Sequence, residues 1–392
     1  MKLRPLPYWV IVAAATAALL ESPSAHAQRG ANAPTTSGSA RSAAAVNRGW
    51  FTPPPAAATP APVPQTPAPL VPPPTYAGKN AKGTFGSIER MDPGLDALIA
   101  PGTQLELLAN GFQWSEGPTW LWREKAVVFS DVPQNTAYKW TAKDGIRVFL
   151  KPSGYTGSQL EFKEPGSNGL TVGPDGSLVL CQHGDRRISK LTAHGFEPIV
   201  QYYEYKKFNS PNDLTYDRQG NLYFTDPPYG LTGLNQSPLK EIPWNGVYLR
   251  RTSGEVVLLT KAMTFPNGLA LSPDEKTLYV GQSDENQPVI MAFPVKADGT
   301  LADGRVFFDA APYRAGRNGV PDGMKVDARG NLFATGPSGV MVINPEGKLL
   351  GILNTGGPTG NLCWGDDGST LYITADKNFG RIHTRTRGAG FR

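Results

Sequence analysis

Asn212-Asp-Leu-Thr-Tyr-Asp-Arg-Gln-Gly-Asn-Leu-Tyr-Phe224 is one of six stretches that lie over one another without a gap. The others read EGPTWLWREK from Glu116, NGLTVGPDGS from Asn168, NGLALSPDEK from Asn267, DGMKVDARGN from Asp322 and GNLCWGDDGS from Gly360. Each has an apolar pair at the second and fourth places after its leading residue. In the last five a PDG, DRQG, PDE, DARG or DDG turn follows, then a run of β-formers such as NLYF from Asn221 or TLYV from Thr277. Turns of this kind tolerate the positive φ a tight reversal needs, and branched or aromatic side chains suit the pleat, so the unit reads as strand, turn, strand. The leaders are separated by 52, 44, 55, 55 and 38 residues, the length of a four-stranded sheet with its connections. Repetition on that scale predicts an all-β, six-bladed β-propeller.

If each stretch supplies the same strand of successive blades, the six leaders stand at equal height around one axis. Five are oxygen donors: Glu116, Asn168, Asn212, Asn267 and Asp322. An Asn or Asp before Gly is ordinarily a turn residue. Here the turn signals occupy a separate column further along, which favours a ring of ligands over a ring of turns. Hard oxygens with two carboxylates and neutral amides suit Ca²⁺, while Zn²⁺, Mn²⁺ or Mg²⁺ are alternatives, and the set leaves coordination places for water or substrate.

With these residues in view, the chain resembles the gluconolactonase and senescence marker protein (regucalcin) family of six-bladed propellers, similar in architecture to squid diisopropylfluorophosphatase and the paraoxonases. The resemblance rests on SEGPTW, SPNDLTYDRQGNLYFTDPPYGL, FPNGLALSPDEKTLYVGQSD and VPDGMKVDARGNLFATGPSGV, and covers about residues 100 to 385. It implies that Glu116 and Asn267 bind the metal, that Asp322 is both ligand and catalytic base, and that Asn212 touches metal or substrate. Asn168 is expected to line the substrate pocket. Several aldonolactone-hydrolysing members carry Arg two residues before the equivalent of Asn212, where this chain has Ser210.

The expected activity is lactone hydrolysis, in which a metal polarises the ring carbonyl and Asp322 takes a proton from water. His183, one strand beyond Asn168, is the repeat histidine placed to approach substrate; its other reading is a blade residue bonded to backbone. A non-catalytic propeller that binds a ligand or protein at its channel mouth, and a phosphotriesterase on the same metal site, are the alternatives. No GxSxG, HExxH or phosphate-loop pattern occurs.

The remaining features concern location and partners. Lys2 and Arg4, an apolar run over 9–20 and Ala25-His26-Ala27 read as a signal peptide over 1–27, which predicts a periplasmic or secreted protein without stable membrane insertion. Residues 28–83 are rich in Ala and Pro and read as a disordered linker, with the propeller over 84–392. The net charge of +5 is dispersed, so the expected partner is a small lactone and not nucleic acid. The two cysteines, Cys181 and Cys363, fall at different places in the repeat and are expected to be buried thiols, not a disulfide.

Overall fold

A computed structural model describes residues 76–158 and 162–390. Among the described residues six antiparallel blade sheets follow one another along the chain, with a separate two-stranded ribbon of Tyr202–Tyr203 and Lys206–Lys207. The first four are four-stranded meanders running from Ser115 to Leu150, Ser167 to Val200, Leu214 to Thr260 and Pro266 to Asp309. The fifth runs from Met324 to Asn354 and gains Ser87–Arg90 at its edge. The sixth, from Asn361 to His383, is completed by Glu106–Asn110, which pairs with Asn378–His383. Chain from before the first blade thus closes the ring. The six-bladed propeller expected from the repeat is the fold observed.

The expected strand–turn–strand units are the first two strands of each blade. Gly176, Gly220 and Gly330 occupy turns with positive φ, while the β-former runs become Leu178–Gln182, Leu222–Asp226, Thr277–Gln282 and Leu332–Gly336. Apolar faces of adjacent blades bury one another. Val128 and Ala137 of the first blade meet Leu170, Leu178 and Leu180 of the second. Tyr223, Val247 and Leu249 of the third pack on Leu269, Leu278 and Val280 of the fourth. Each sheet is therefore covered on both faces, which stabilises a ring that has no single central core. Cys181 and Cys363 are both buried and unpaired, in separate inter-blade clusters.

One boundary shifts. Lys79–Asn80 pairs with Ala109–Asn110, and Gly78 N donates to the Tyr138 hydroxyl at 3.2 Å, so chain assigned to the linker packs on the propeller before residue 84. The period-two alternation that signals a strand cannot show in a pair this short. The signal peptide over 1–27 and most of the linker lie outside the described residues. Among the described residues no helix is long and apolar enough to cross a membrane.

Candidate active site

The innermost strands position the site, because their starts are knitted to each other around the axis. Gly169 N donates to Asn212 O at 2.8 Å, Gly268 N to Asp322 O at 3.1 Å and Gly323 N to Gly360 O at 2.8 Å. Side chains of the second strands tie down further leaders: Ser130 Oγ donates to Asn168 O and Thr225 Oγ1 to Asn267 O. Close approach explains the glycine that follows most leaders. A Cβ on Gly117 would lie 2.0 Å from Asn168 O, and one on Gly268 would lie 2.1 Å from Asp322 O. Only a residue without a side chain fits there.

The pairing register slips between Glu116 and Thr119, between Ser167 and Leu170, and between Pro266 and Leu269. Such bulges turn a side chain out of the ladder. Asn168 and Asn267 are strand residues without positive φ, so neither is the turn residue that Asn before Gly ordinarily marks. The sixth leader, Gly360, is the exception to the oxygen pattern for a steric reason. A Cβ there would lie 2.9 Å from the Glu116 carboxyl carbon, so the longest leader occupies the space the shortest one vacates.

Glu116, Asn168, Asn212, Asn267 and Asp322 all line one cavity of about 330 Å³. Glu116 is almost wholly buried, with 1% of its surface exposed, and its carboxylate accepts from the Gly117 N–H. Burial pushes its pKa up to about 8, against the lowering effect of that bond and with further raising by the charge of Asp213. Asp322 is held well above the usual carboxylate range, first by burial and then by the charge of the neighbouring Glu116. Two carboxyl groups this close share protons unless something positive lies between them.

The oxygens fit a hard cation. Asn168 Oδ1, Asn267 Oδ1 and Asp322 Oδ1 are buried without a hydrogen-bond partner. Asn267 is oriented with its amide nitrogen donating to Ser283 Oγ at 2.8 Å, which leaves its oxygen for the cavity. Buried acceptors without donors are costly in a folded protein, and a cation among them satisfies all three. Among the described residues there is no group of three or more His, Cys, Asp or Glu able to hold a metal, so the donor set depends on its amides.

His183 departs from expectation. It is fully buried and does not line the cavity; the Glu164 backbone is the polar group beside its ring, in keeping with its other reading, although neither nitrogen makes a hydrogen bond of ordinary geometry. Burial pushes its pKa down to about 3, which leaves the ring neutral. Gly230 lies against its Cβ side, while Glu164 stands between it and the cavity. Ser210 is also turned away: its hydroxyl donates to Pro227 O at 2.7 Å and accepts from Gly230 N at 2.9 Å.

Several lining residues escape the repeat pattern. Trp114, Val320 and Pro358 each stand two places before a leader and form an apolar wall. Tyr229 stacks on Phe265, whose own place is two before Asn267, with ring centroids 5.7 Å apart. Its hydroxyl reaches Ser283 and Asn267, and burial raises its pKa. Lys163 and Glu164 come from the connection between the first and second blades. The available signal was position: chain just upstream of an inner strand arrives at the same channel mouth as the leader.

Residues 114–377 match the SMP-30/gluconolactonase/LRE-like region. The chain is 42% identical over 313 residues to a gluconolactonase of Zymomonas mobilis, spanning 78% of this chain and 88% of the relative. Among solved structures, a gluconolactonase of Xanthomonas campestris superposes with a TM-score of 0.67 at 30% identity, covering 78% of this chain and 97% of the other. A putative gluconolactonase gives 0.68 at 31% identity, covering 77% and 99%. The repeat, the ring of oxygen donors and these matches agree: the chain belongs to the SMP-30/gluconolactonase/LRE-like family.

Proposed function

We propose that this chain is a lactone hydrolase that works with a hard divalent cation at the cavity floor. The observation that carries the reading is the convergence of Glu116 and Asp322 on one cavity beside buried amide oxygens that have no hydrogen-bond partner. That arrangement costs stability and is the donor set a cation needs. Its likeness to relatives named gluconolactonases gives the electrophile: the carbonyl of a cyclic ester.

Ca²⁺ leads the candidates, with Zn²⁺, Mn²⁺ and Mg²⁺ behind it; Glu116, Asn212, Asn267 and Asp322 would hold such an ion, which would supply polarisation of the carbonyl and favour the ionised form of both carboxyls. Asp322 then accepts a proton from the attacking water. The water oxygen bonds to the carbonyl carbon, the ring C–O bond breaks, and the proton count closes when the ring oxygen takes up a proton as the alcohol of the hydroxy acid. Asn168 and Asn212 orient the substrate from the cavity wall. Trp114, Val320 and Pro358 exclude water from the far side of the ring.

The reading extends to location. Residues 1–27 as a signal peptide place the catalytic domain in the periplasm or outside the cell, with mature protein beginning at Gln28. N-terminal sequencing of protein from the native compartment checks this. The activity is tested on the purified chain with a panel of lactones and phosphotriesters, each after chelation and after addition of Ca²⁺, Mg²⁺, Mn²⁺ or Zn²⁺. Lactone opening that chelation abolishes and one of these ions restores is the expected result. Absence of lactone hydrolysis with every ion overturns the proposal.

A further inference from the structure

Two observations around the cavity are unexplained by the ring of leaders. One is His183, an imidazole with no exposed surface and no partner at either nitrogen. A buried polar group in that state carries a desolvation cost without compensation, and the cost calls for a reason. The other is Glu164, a carboxylate at the cavity that belongs to no blade's inner strand. They are neighbours. Glu164 Oε2 lies 3.9 Å from His183 Nδ1, and Oε1 lies 3.5 Å from Lys163 Nζ, both longer than an ordinary hydrogen bond.

The backbone beneath Glu164 is built, not loose. Lys163 N donates to Gly230 O at 3.1 Å, Phe162 bridges Leu231, and Tyr155 packs on Phe162 with centroids 4.8 Å apart. On the other side His183 N donates to Gly166 O and Gly184 N to Pro165 O, at 3.1 and 3.2 Å. The second and third blades therefore clamp the turn that aims Glu164 at the cavity. Gly230 matters twice, because a Cβ there would strike His183 Cβ at 2.7 Å and Ser210 Cβ at 2.8 Å.

Ser210 adds no free hydroxyl to this quarter of the wall, since its own is spent on Pro227 and Gly230. A carboxylate accepts from two hydroxyl groups at once, and its charge makes each bond stronger than a neutral pair. Building on the lactonase reading, we propose that Glu164 is the specificity-determining residue of this cavity, its carboxylate accepting hydrogen bonds from ring hydroxyls of a polyhydroxylated lactone and His183 holding it in place. His183 is a positioning residue: its ring is neutral and its Nδ1 faces Glu164 Oε2. At 3.9 Å the buried imidazole limits which way the carboxylate can turn.

Steady-state kinetics of the full chain with saturating Ca²⁺ test this on two probes, glucono-δ-lactone and δ-valerolactone, which has the same ring without hydroxyls. For wild type, kcat/KM is expected to favour the hydroxylated probe. Glu164→Ala should cut that preference by about 10–100-fold, chiefly through KM, because losing a charged acceptor leaves substrate hydroxyls unpaired. Glu164→Gln, which keeps shape, should fall between and guards against a folding defect. His183→Ala should reduce the preference by about 3–10-fold, His183→Gln should restore most of it, and neither should change it further in the Glu164→Ala background. An unchanged preference in both Glu164 variants overturns the proposal, as does a wild type that opens δ-valerolactone but not the hydroxylated probe; both leave the lactonase reading standing. If wild type opens neither probe with any ion, the lactonase reading fails and this inference with it.

Discussion

Two rings of residues, one place apart in sequence, surround the axis and obey different rules. The leaders Glu116, Asn168, Asn212, Asn267 and Asp322 present oxygens to the cavity, and three of those oxygens have no partner in the protein. Their followers are Gly117, Gly169, Asp213, Gly268, Gly323 and Asn361. Four are glycines because the next blade's backbone or side chain lies where a Cβ would be. The other two come from opposite blades and meet across the axis, with Asn361 Nδ2 donating to Asp213 Oδ2 at 3.1 Å. The first ring tolerates unsatisfied groups for the sake of binding; the second is fully packed. Changes in the first should alter chemistry more than stability, and changes in the second should do the reverse.

The strongest way to break this division is Asp322→Asn. The amide keeps an oxygen for the cation but cannot accept the proton, so kcat for lactone opening should fall by about 10²-fold or more while the thermal midpoint holds or rises. Glu116→Gln should act through metal affinity, with excess Ca²⁺ recovering part of the lost rate in a titration. A large fall in midpoint for either variant would erase the distinction between the rings.

In the follower ring, Gly323→Ala places a Cβ 2.0 Å from Asn361 Cγ, and Gly268→Ala drives one into a carbonyl oxygen. Each should destabilise by about 3 kcal/mol, read as a shifted urea midpoint, before any specific effect on KM. Asp213→Ala breaks the link across the axis and leaves the Asn361 amide short of an acceptor. The expected cost is about 1–2 kcal/mol by the same measurement. Wild-type stability in Asp213→Ala would mean the cross-axis bond is incidental.

The smallest effect is a pH dependence that sharpens the contrast. Glu116 rises from its ordinary 4.5 to about 8 in the fold, so the folded protein binds more protons than the unfolded chain between those values. Stability of the metal-free protein is therefore highest below pH 4.5 on this account and declines as pH climbs toward 8. Asp226, raised to about 7, and Asp131, raised to about 6, are buried scaffold acids that act in the same direction. Scanning calorimetry after chelation should show the midpoint falling by a few degrees from pH 5 to pH 8, at about 2–4 °C per kcal/mol. Glu116→Gln should flatten the slope in part, and added Ca²⁺ should raise the midpoint more at pH 8 than at pH 5.

Much of this was legible because a propeller writes its geometry into one repeat. The leader column picked out residues that share one cavity, the turn column marked the strand boundaries, and both columns survive in the structure because each blade solves the same packing problem. Gly360 looked like a defect in the column until its neighbour was known: the repeat aligns residues along the chain, while the Glu116 side chain fills space contributed by the other end of the ring. Glu164 and Tyr229 lie in connections, whose lengths differ between blades, so no column collects them, while Trp114 stands two places ahead of a leader, outside the strand pattern that marks the repeat. His183 was visible as a residue near the axis but not as a buried one, since a single polar side chain carries no periodic sign of which layer it occupies.

The pairing of Glu106–Asn110 with Asn378–His383 bears on how the protein is made. A ribosome delivers the first of these strands long before the second exists, so the ring cannot shut until nearly all of the chain has emerged. Until then the sixth blade is incomplete and the first blade has no neighbour on one side. Folding is thus forced to be late and dominated by distant contacts, a slow regime in which an unfinished chain keeps the apolar faces of its blades open for longer.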